Sequence, residues 1–282
     1  MTLWTSYLGA EVRWIDATGI RTRVAFSPSM SDARPILLLH GRGGHLESFH
    51  RNVGALSRHA PLISVDLLGH ALTGQAGTTY DIAEITEHIW QVMDQLDDGR
   101  GFDIVAQSLG AWAAMRTAIA RPERIGRLVL IEPAGLQRHQ DRLGDPRVQR
   151  ASQAGGQAFD DPSEDNVRLR FAQLLHDPLS VDPEMVAVRQ RFYSLPGATD
   201  VHKSVRTADN DPYVLERTQL AASEIPMLFV RGEFGHLPQP LLESLAQQIP
   251  ESGLVTIDDA KQWPHYEQPD PVNKSIIQFL ER

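Results

Sequence analysis

Short, uninterrupted apolar runs separated by longer amphipathic stretches organise this sequence. Ile36 to Leu39, Leu62 to Asp66, Phe102 to Ala106, Arg127 to Ile131, Met227 to Arg231 and Gly253 to Ile257 have the length of strands, and the continuous apolar character of the first four fits burial on both faces. Helical periodicity follows over Ser48–Ser57, Ile82–Leu96, Leu109–Ala120, Leu241–Gln248 and Pro271–Glu281. Strands alternating with helices predict an α/β fold with a mostly parallel central sheet flanked by helices. Ahead of it, Glu11–Asp16 and Ile20–Phe26 form a predicted hairpin around Thr18-Gly19. The alternation breaks once, between Gly135 and Ser223, where Arg, Gln, Asp and His dominate and helices are predicted only near Asp165–Leu175 and Pro183–Tyr193. Gln153-Ala154-Gly155-Gly156-Gln157 reads there as a flexible turn. The expected organisation is a core of residues 1–134 and 224–282 with a helical insertion over 135–223.

Composition narrows the function classes. The 282 residues carry 27 Lys and Arg against 36 Asp and Glu, a formal charge of −9, which argues against nucleic acid or an anionic membrane as partner. With no cysteine there is no thiol nucleophile, disulfide or thiolate metal site, and no histidine pair has the His-Glu-x-x-His spacing of a metal site. The first residues lack the pattern of a signal peptide, and no apolar run approaches the roughly 18 residues of a membrane span. A cytoplasmic protein acting on a small molecule, without metal or cofactor, is the expectation.

The chemistry-bearing stretch is Ile104-Val105-Ala106-Gln107-Ser108-Leu109-Gly110, an apolar strand, a small-x-Ser-x-small turn and the start of a helix. Side chains two before and two after the serine would collide in so sharp a turn, and Ala106 and Gly110 meet that demand. The Leu109 amide then lies free at a helix N-terminus, placed to stabilise negative charge on a bound oxygen. The same pentapeptide also reads as a buried strand that merely runs into a helix. A second glycine-rich turn, His40-Gly41-Arg42-Gly43-Gly44, ends the first apolar run, and the Arg42 amide would be a second oxyanion donor. A third strand closes on Asp66-Leu67-Leu68-Gly69-His70.

These three strand-and-loop signals, in this order, make the chain resemble the α/β-hydrolase fold family. The likeness is to capped members such as meta-cleavage-product hydrolases, haloalkane dehalogenases, epoxide hydrolases and small lactonases. It spans roughly Glu11 to Leu280 and is weakest between Leu136 and Ala222. The resemblance implies that the insertion is a cap over the serine, and that a histidine follows the last strand in a Gly-His-x-x-x-x-Glu-x-Pro pattern. Matching Glu267 and Pro269 to that pattern puts Lys261 at the glycine and Gln262 at the histidine. Glutamine cannot take a proton near neutral pH. The family's usual acid position falls on Gly235, and its second known position on Glu132, 24 residues after Ser108. Glu132 is the acid candidate, with helix capping or pairing to an insertion arginine as the alternative. His265, three residues past Gln262, is the candidate substitute base, and His40, Gly41, Gly43, Gln107, Gln262 and Trp263 are the expected substrate-binding lining.

Two functions stay open. One is an enzyme acting on a small, largely apolar carbonyl compound (ester, lactone or diketone), by hydrolysis or by non-hydrolytic chemistry: cyclisation, elimination or retro-aldol steps need positioning and charge stabilisation more than a proton relay. The other is a catalytically silent homologue that keeps the pocket for ligand binding. A serine at the elbow disfavours dehalogenation, which calls for a carboxylate there.

Overall fold

The computed structural model describes residues 2–282. Eight strands form one sheet: β1 (Glu11–Ala17), β2 (Ile20–Ser27), β3 (Ile36–Leu39), β4 (Leu62–Val65), β5 (Phe102–Gln107), β6 (Ile125–Ile131), β7 (Met227–Gly232) and β8 (Gly253–Ile257), in the order β1-β2-β4-β3-β5-β6-β7-β8. β1 pairs antiparallel with β2, and β2 with β4; every other pairing is parallel. The hairpin turns on Thr18 and Gly19, both at positive φ, the geometry in which a two-residue turn matches strand twist. The continuous apolar runs of β3 and β4 are buried at every position, and so are all residues of β5, Asp103 and Gln107 included.

Helices α1 (Leu3–Ser6), α2 (His50–Leu56), α3 (Ile82–Leu96) and α4 (Leu109–Ala120) precede β6. Between β6 and β7 lie α5 (His139–Leu143), α6 (Pro146–Asp160), α7 (Glu164–Leu174), α8 (Pro183–Tyr193), α9 (Ala198–Thr207) and α10 (Arg217–Ala221), and the chain ends with α11 (Gln239–Gln248), α12 (Pro264–Glu267) and α13 (Pro269–Leu280). No helix among the described residues is long and apolar enough to cross a membrane. One apolar cluster packs α3, α4 and α11 on one face of the sheet, and a second packs α2 and α13 on the other. The helices between β6 and β7 hold a third cluster of their own, Phe159, Val167, Phe171 and Met185 among its members, which also takes in Trp263 and Tyr266. That sharing ties the inserted helices to the loop after β8.

Gln153–Gln157 is not a turn but the middle of α6. Gly155 faces α7, and a β-carbon there would lie 3.4 Å from the Arg170 guanidinium. The glycines that suggested flexibility let a large cation lie flat against the helix.

The strand order reverses at β3, which has β4 on one side and β5 on the other, and ligands of open α/β sheets bind at such a switch point. Leu39 and Ala106 are register partners at the carboxyl ends of β3 and β5. The two turns singled out in the sequence therefore leave the sheet side by side.

Candidate active site

Ser108 connects β5 to α4 at φ 51° and ψ −108°, a conformation L-residues rarely adopt and one worth roughly 1–3 kcal/mol of strain. Its amide donates to the Ile131 carbonyl at 3.0 Å, and its carbonyl accepts from Trp112 and Ala134. Gly110 makes the bend possible: a β-carbon there would sit 2.6 Å from the Leu39 carbonyl oxygen and 2.7 Å from that of His40. Opposite, neither the Arg42 nor the Leu109 amide donates to a protein acceptor among the described residues.

Ser108, Leu109, Arg42, Gln107, Gln262 and Trp263 line one cavity of about 1010 Å³, its mouth included, between the sheet and the inserted helices. The loop of Gln262 is held by its backbone. Its amide donates to the Leu174 carbonyl at 3.0 Å, its carbonyl accepts from Gln107 Nε2 at 3.2 Å, and Glu267 accepts from the Lys261 amide at 2.8 Å. The glutamate of the Glu-x-Pro pattern thus sets the register of the loop. The Gln262 Oε1 is buried without a partner.

A second cavity, sharing Gln262, His236 and Arg142 with the first, is lined by Glu132. Glu132 sits at φ 43°, fully buried, one oxygen accepting from the Gly232 amide at 2.9 Å and the other unpartnered. Burial pushes its carboxyl up to about 7 against the pull of the Gly232 amide and Arg231. A β-carbon on Gly235 would lie within 3 Å of this carboxyl group. The side chain of Glu132 therefore fills the space that a residue at the family's usual acid position would use.

Besides Glu132, four sequence candidates fall outside the Ser108 cavity. His265 is carried by the short helix α12 towards α2, where its ring packs 5.0 Å from Phe49 and 5.6 Å from Trp263. Burial, with His50 nearby, pushes it down to about 3, and it is not placed to serve Ser108. His40 turns inward: it accepts from the Leu67 amide at Nε2 (3.1 Å), so Nδ1 carries the proton and donates to the Gly41 carbonyl (2.8 Å). It braces the loop rather than touching ligand. Gly41 leaves room for the Gln107 side chain to cross, and Gly43, at φ 69°, backs onto Phe159 and Tyr193, whose hydroxyl donates to the Gly43 carbonyl at 2.8 Å. A buried ion network of Arg23, Asp66 and Glu47 supports the same loop, Asp66 accepting from Arg23 Nε at 2.6 Å and from the Leu46 amide at 2.8 Å.

The histidine that does reach the wall between the two cavities is His236, pushed down to about 4 by burial and then by Lys261 and Arg147. Its only sequence signal is its place directly after Gly235. Arg42, Arg142, Arg170 and Arg206, none but Arg42 singled out in the sequence, also border the Ser108 cavity.

The comparisons with known proteins agree with this sheet order and strand–helix alternation. The alpha/beta hydrolase fold model matches residues 34–269. The chain belongs to the α/β-hydrolase family. A 2-hydroxymuconate semialdehyde hydrolase of Pseudomonas putida is 27% identical to it, over 95% of this chain and 93% of that protein. Among solved structures, a meta-cleavage product hydrolase from Pseudomonas fluorescens IP01 superimposes with TM-score 0.81 at 21% identity, covering 97% of this hydrolase-fold chain and 98% of the other. Carboxylesterase CesB from Bacillus subtilis gives TM-score 0.81 at 19% identity, with 99% and 96% covered.

Proposed function

We propose that this α/β-hydrolase acts on a small carbonyl compound, an ester, lactone or diketone, bound beneath the inserted helices as a cap. The substrate carbonyl oxygen is received by the Arg42 and Leu109 amides, and Ser108 stands beside the reacting carbon. As a bond to that carbon forms or breaks, charge grows on the oxygen, and preorganised donors in a site shielded from water stabilise it more than water does. What supports this reading most is the place of Gln262: it borders both the cavity of Ser108 and that of Glu132, where an imidazole would otherwise join nucleophile to acid. Glutamine can hold a substrate oxygen or the serine hydroxyl by hydrogen bonds but cannot remove a proton. The Ser108 hydroxyl therefore stays protonated and weakly nucleophilic, and the chemistry favoured is of the non-hydrolytic kind, in which the pocket positions the substrate and stabilises charge.

A serine-directed fluorophosphonate tests this. The natural chain should label slowly, and Ser108→Ala not at all. Rapid stoichiometric labelling of Ser108 would mean that a base operates there, with His236 the first residue to replace.

A further inference from the structure

Four guanidinium groups converge on the Ser108 cavity from four separate places: Arg42 from the loop after β3, Arg142 from α5, Arg170 from α7 and Arg206 from α9. Asp211 is the one carboxylate in the lining among the described residues, and its Oδ1 already accepts from the His139 amide at 2.7 Å. None of the four arginines forms an ion pair among the described residues. Arg170 donates to the Ala151 carbonyl, while the side chains of Arg42, Arg142 and Arg206 make no hydrogen bond to protein among the described residues. Arg170 is buried and the other three are half-buried, and four guanidiniums without a carboxylate partner around one cavity make it a seat for opposite charge.

We propose that the substrate of this pocket is a dianion, a small carbonyl compound whose carboxylate or phosphate oxygens are held by Arg42, Arg142, Arg170 and Arg206. This rests on the reading of Ser108 as the reacting centre and adds the substrate's charge to it. Guanidinium forks match carboxylate and phosphate geometry, with charge-assisted bonds about twice as strong as neutral ones. Burial first, then Arg170, Arg142 and Arg206, push Arg42 down to about 9, and burial pushes Arg170 down to about 10. Since Ser108 and Arg42 line the same cavity, an anion seated on the arginines keeps the rest of the molecule within reach of the Arg42 and Leu109 amides.

Calorimetric titration and thermal melting of the full chain with succinate, inorganic phosphate and the neutral isostere succinamide test the proposal. Succinate or phosphate should bind and raise the melting temperature, while succinamide does neither. Tighter binding of succinate assigns the seat to carboxylates, and tighter binding of phosphate to a phosphate ester. The double variant Arg142→Gln/Arg206→Gln removes two side chains with no protein hydrogen bond. It should weaken anion binding at least tenfold while the ligand-free protein melts at the same temperature or higher, the opposite of what loss of structural residues would give. Anions binding no better than succinamide, or binding unchanged in the double variant, would overturn the proposal. Ser108→Ala should keep full anion affinity. A protein that binds anions yet labels rapidly with fluorophosphonate would overturn the reading of the reaction and leave the seat intact.

Discussion

If Gln262 stands where a proton relay would join Ser108 to Glu132, as proposed, Gln262→His should supply that relay, and the structure sets how much activity it should bring. The backbone of Gln262 is fixed at both its amide and its carbonyl, by Leu174 and Gln107, so the side chain can change without moving the loop. General-base assistance is worth about 10²–10⁴-fold. Two features place this case near the lower end. His236, on the wall of the same cavity, shows what burial and nearby cations do to an imidazole there, holding it down to about 4, and a weaker base assists less. The acid meant to orient the new imidazole has its carboxyl raised to about 7, so at neutral pH only half of it is ionised. Hydrolysis of 4-nitrophenyl acetate by Gln262→His should therefore rise about 10²-fold over the natural chain and continue to rise with pH through about 7. Adding Glu132→Gln should remove most of the gain. Gly235→Asp would not substitute for Glu132, because its side chain would run into the Glu132 carboxyl group. If the folded variant, still binding ligand, hydrolyses no faster than the natural chain at any pH, Gln262 does not stand at a vacated relay position and the reasoning fails.

Three further outcomes follow from the same geometry. Glu132 binds its proton more tightly folded than unfolded, so its penalty is absent below about 4.5 and grows as pH rises to about 7, reaching on the order of 3 kcal/mol. Urea midpoints should show Glu132→Gln gaining on the natural chain between pH 5 and 8, and a constant difference would contradict this. Gly110→Ala puts a β-carbon against two backbone carbonyls of the β3 end, which cannot move aside, and should lower stability by at least about 1–3 kcal/mol; an unchanged melting temperature would refute the close-approach argument. Asp66→Asn breaks the buried network at its fully buried member and should cost about 3 kcal/mol, the lower end for such a change because Glu47 still holds Arg23 through two bonds of 2.9 and 2.8 Å. Chemical denaturation measures it.

The sheet was legible because its strands are short runs bounded by turn residues: Ile36–Leu39 in the interior and Gly253–Ile257 at the edge coincide end to end with their expectation. The elbow was legible for a steric reason, since a turn this sharp admits only small neighbours. The inserted helices were harder. α6 carries glutamines, two arginines and paired glycines, and its helical character rests on burying Ala151, Ala154, Gly155 and Ala158 against neighbours that sequence alone does not place. His265 looked serviceable by spacing, yet Pro264 begins a helical turn that carries it to the other side of the loop. The arginine cluster had no local signal at all. Residue 42 and residue 206 become neighbours only when loop and helices close over one cavity.

The cationic pocket and the missing histidine bear on one another. A catalytic imidazole works by accepting a proton and becoming a cation, and in a cavity already lined by four guanidiniums that charged form is disfavoured. A histidine at position 262 would thus be a poor proton acceptor, whereas the proposed oxyanion site would gain from the same field, because positive potential stabilises charge growing on a substrate oxygen. The two effects separate when the seat is filled. A bound anion neutralises part of the field, so the imidazole of Gln262→His should regain basicity in proportion to the charge its substrate brings. The hydrolytic gain of Gln262→His over the natural chain should therefore be larger for 4-nitrophenyl hydrogen succinate than for 4-nitrophenyl acetate, and the excess should shrink in Arg142→Gln/Arg206→Gln/Gln262→His. Steady-state hydrolysis of the two esters by these three proteins and by Arg142→Gln/Arg206→Gln measures it. Equal gains on both esters would mean that the guanidiniums do not govern the chemistry at Ser108, even if they bind anions.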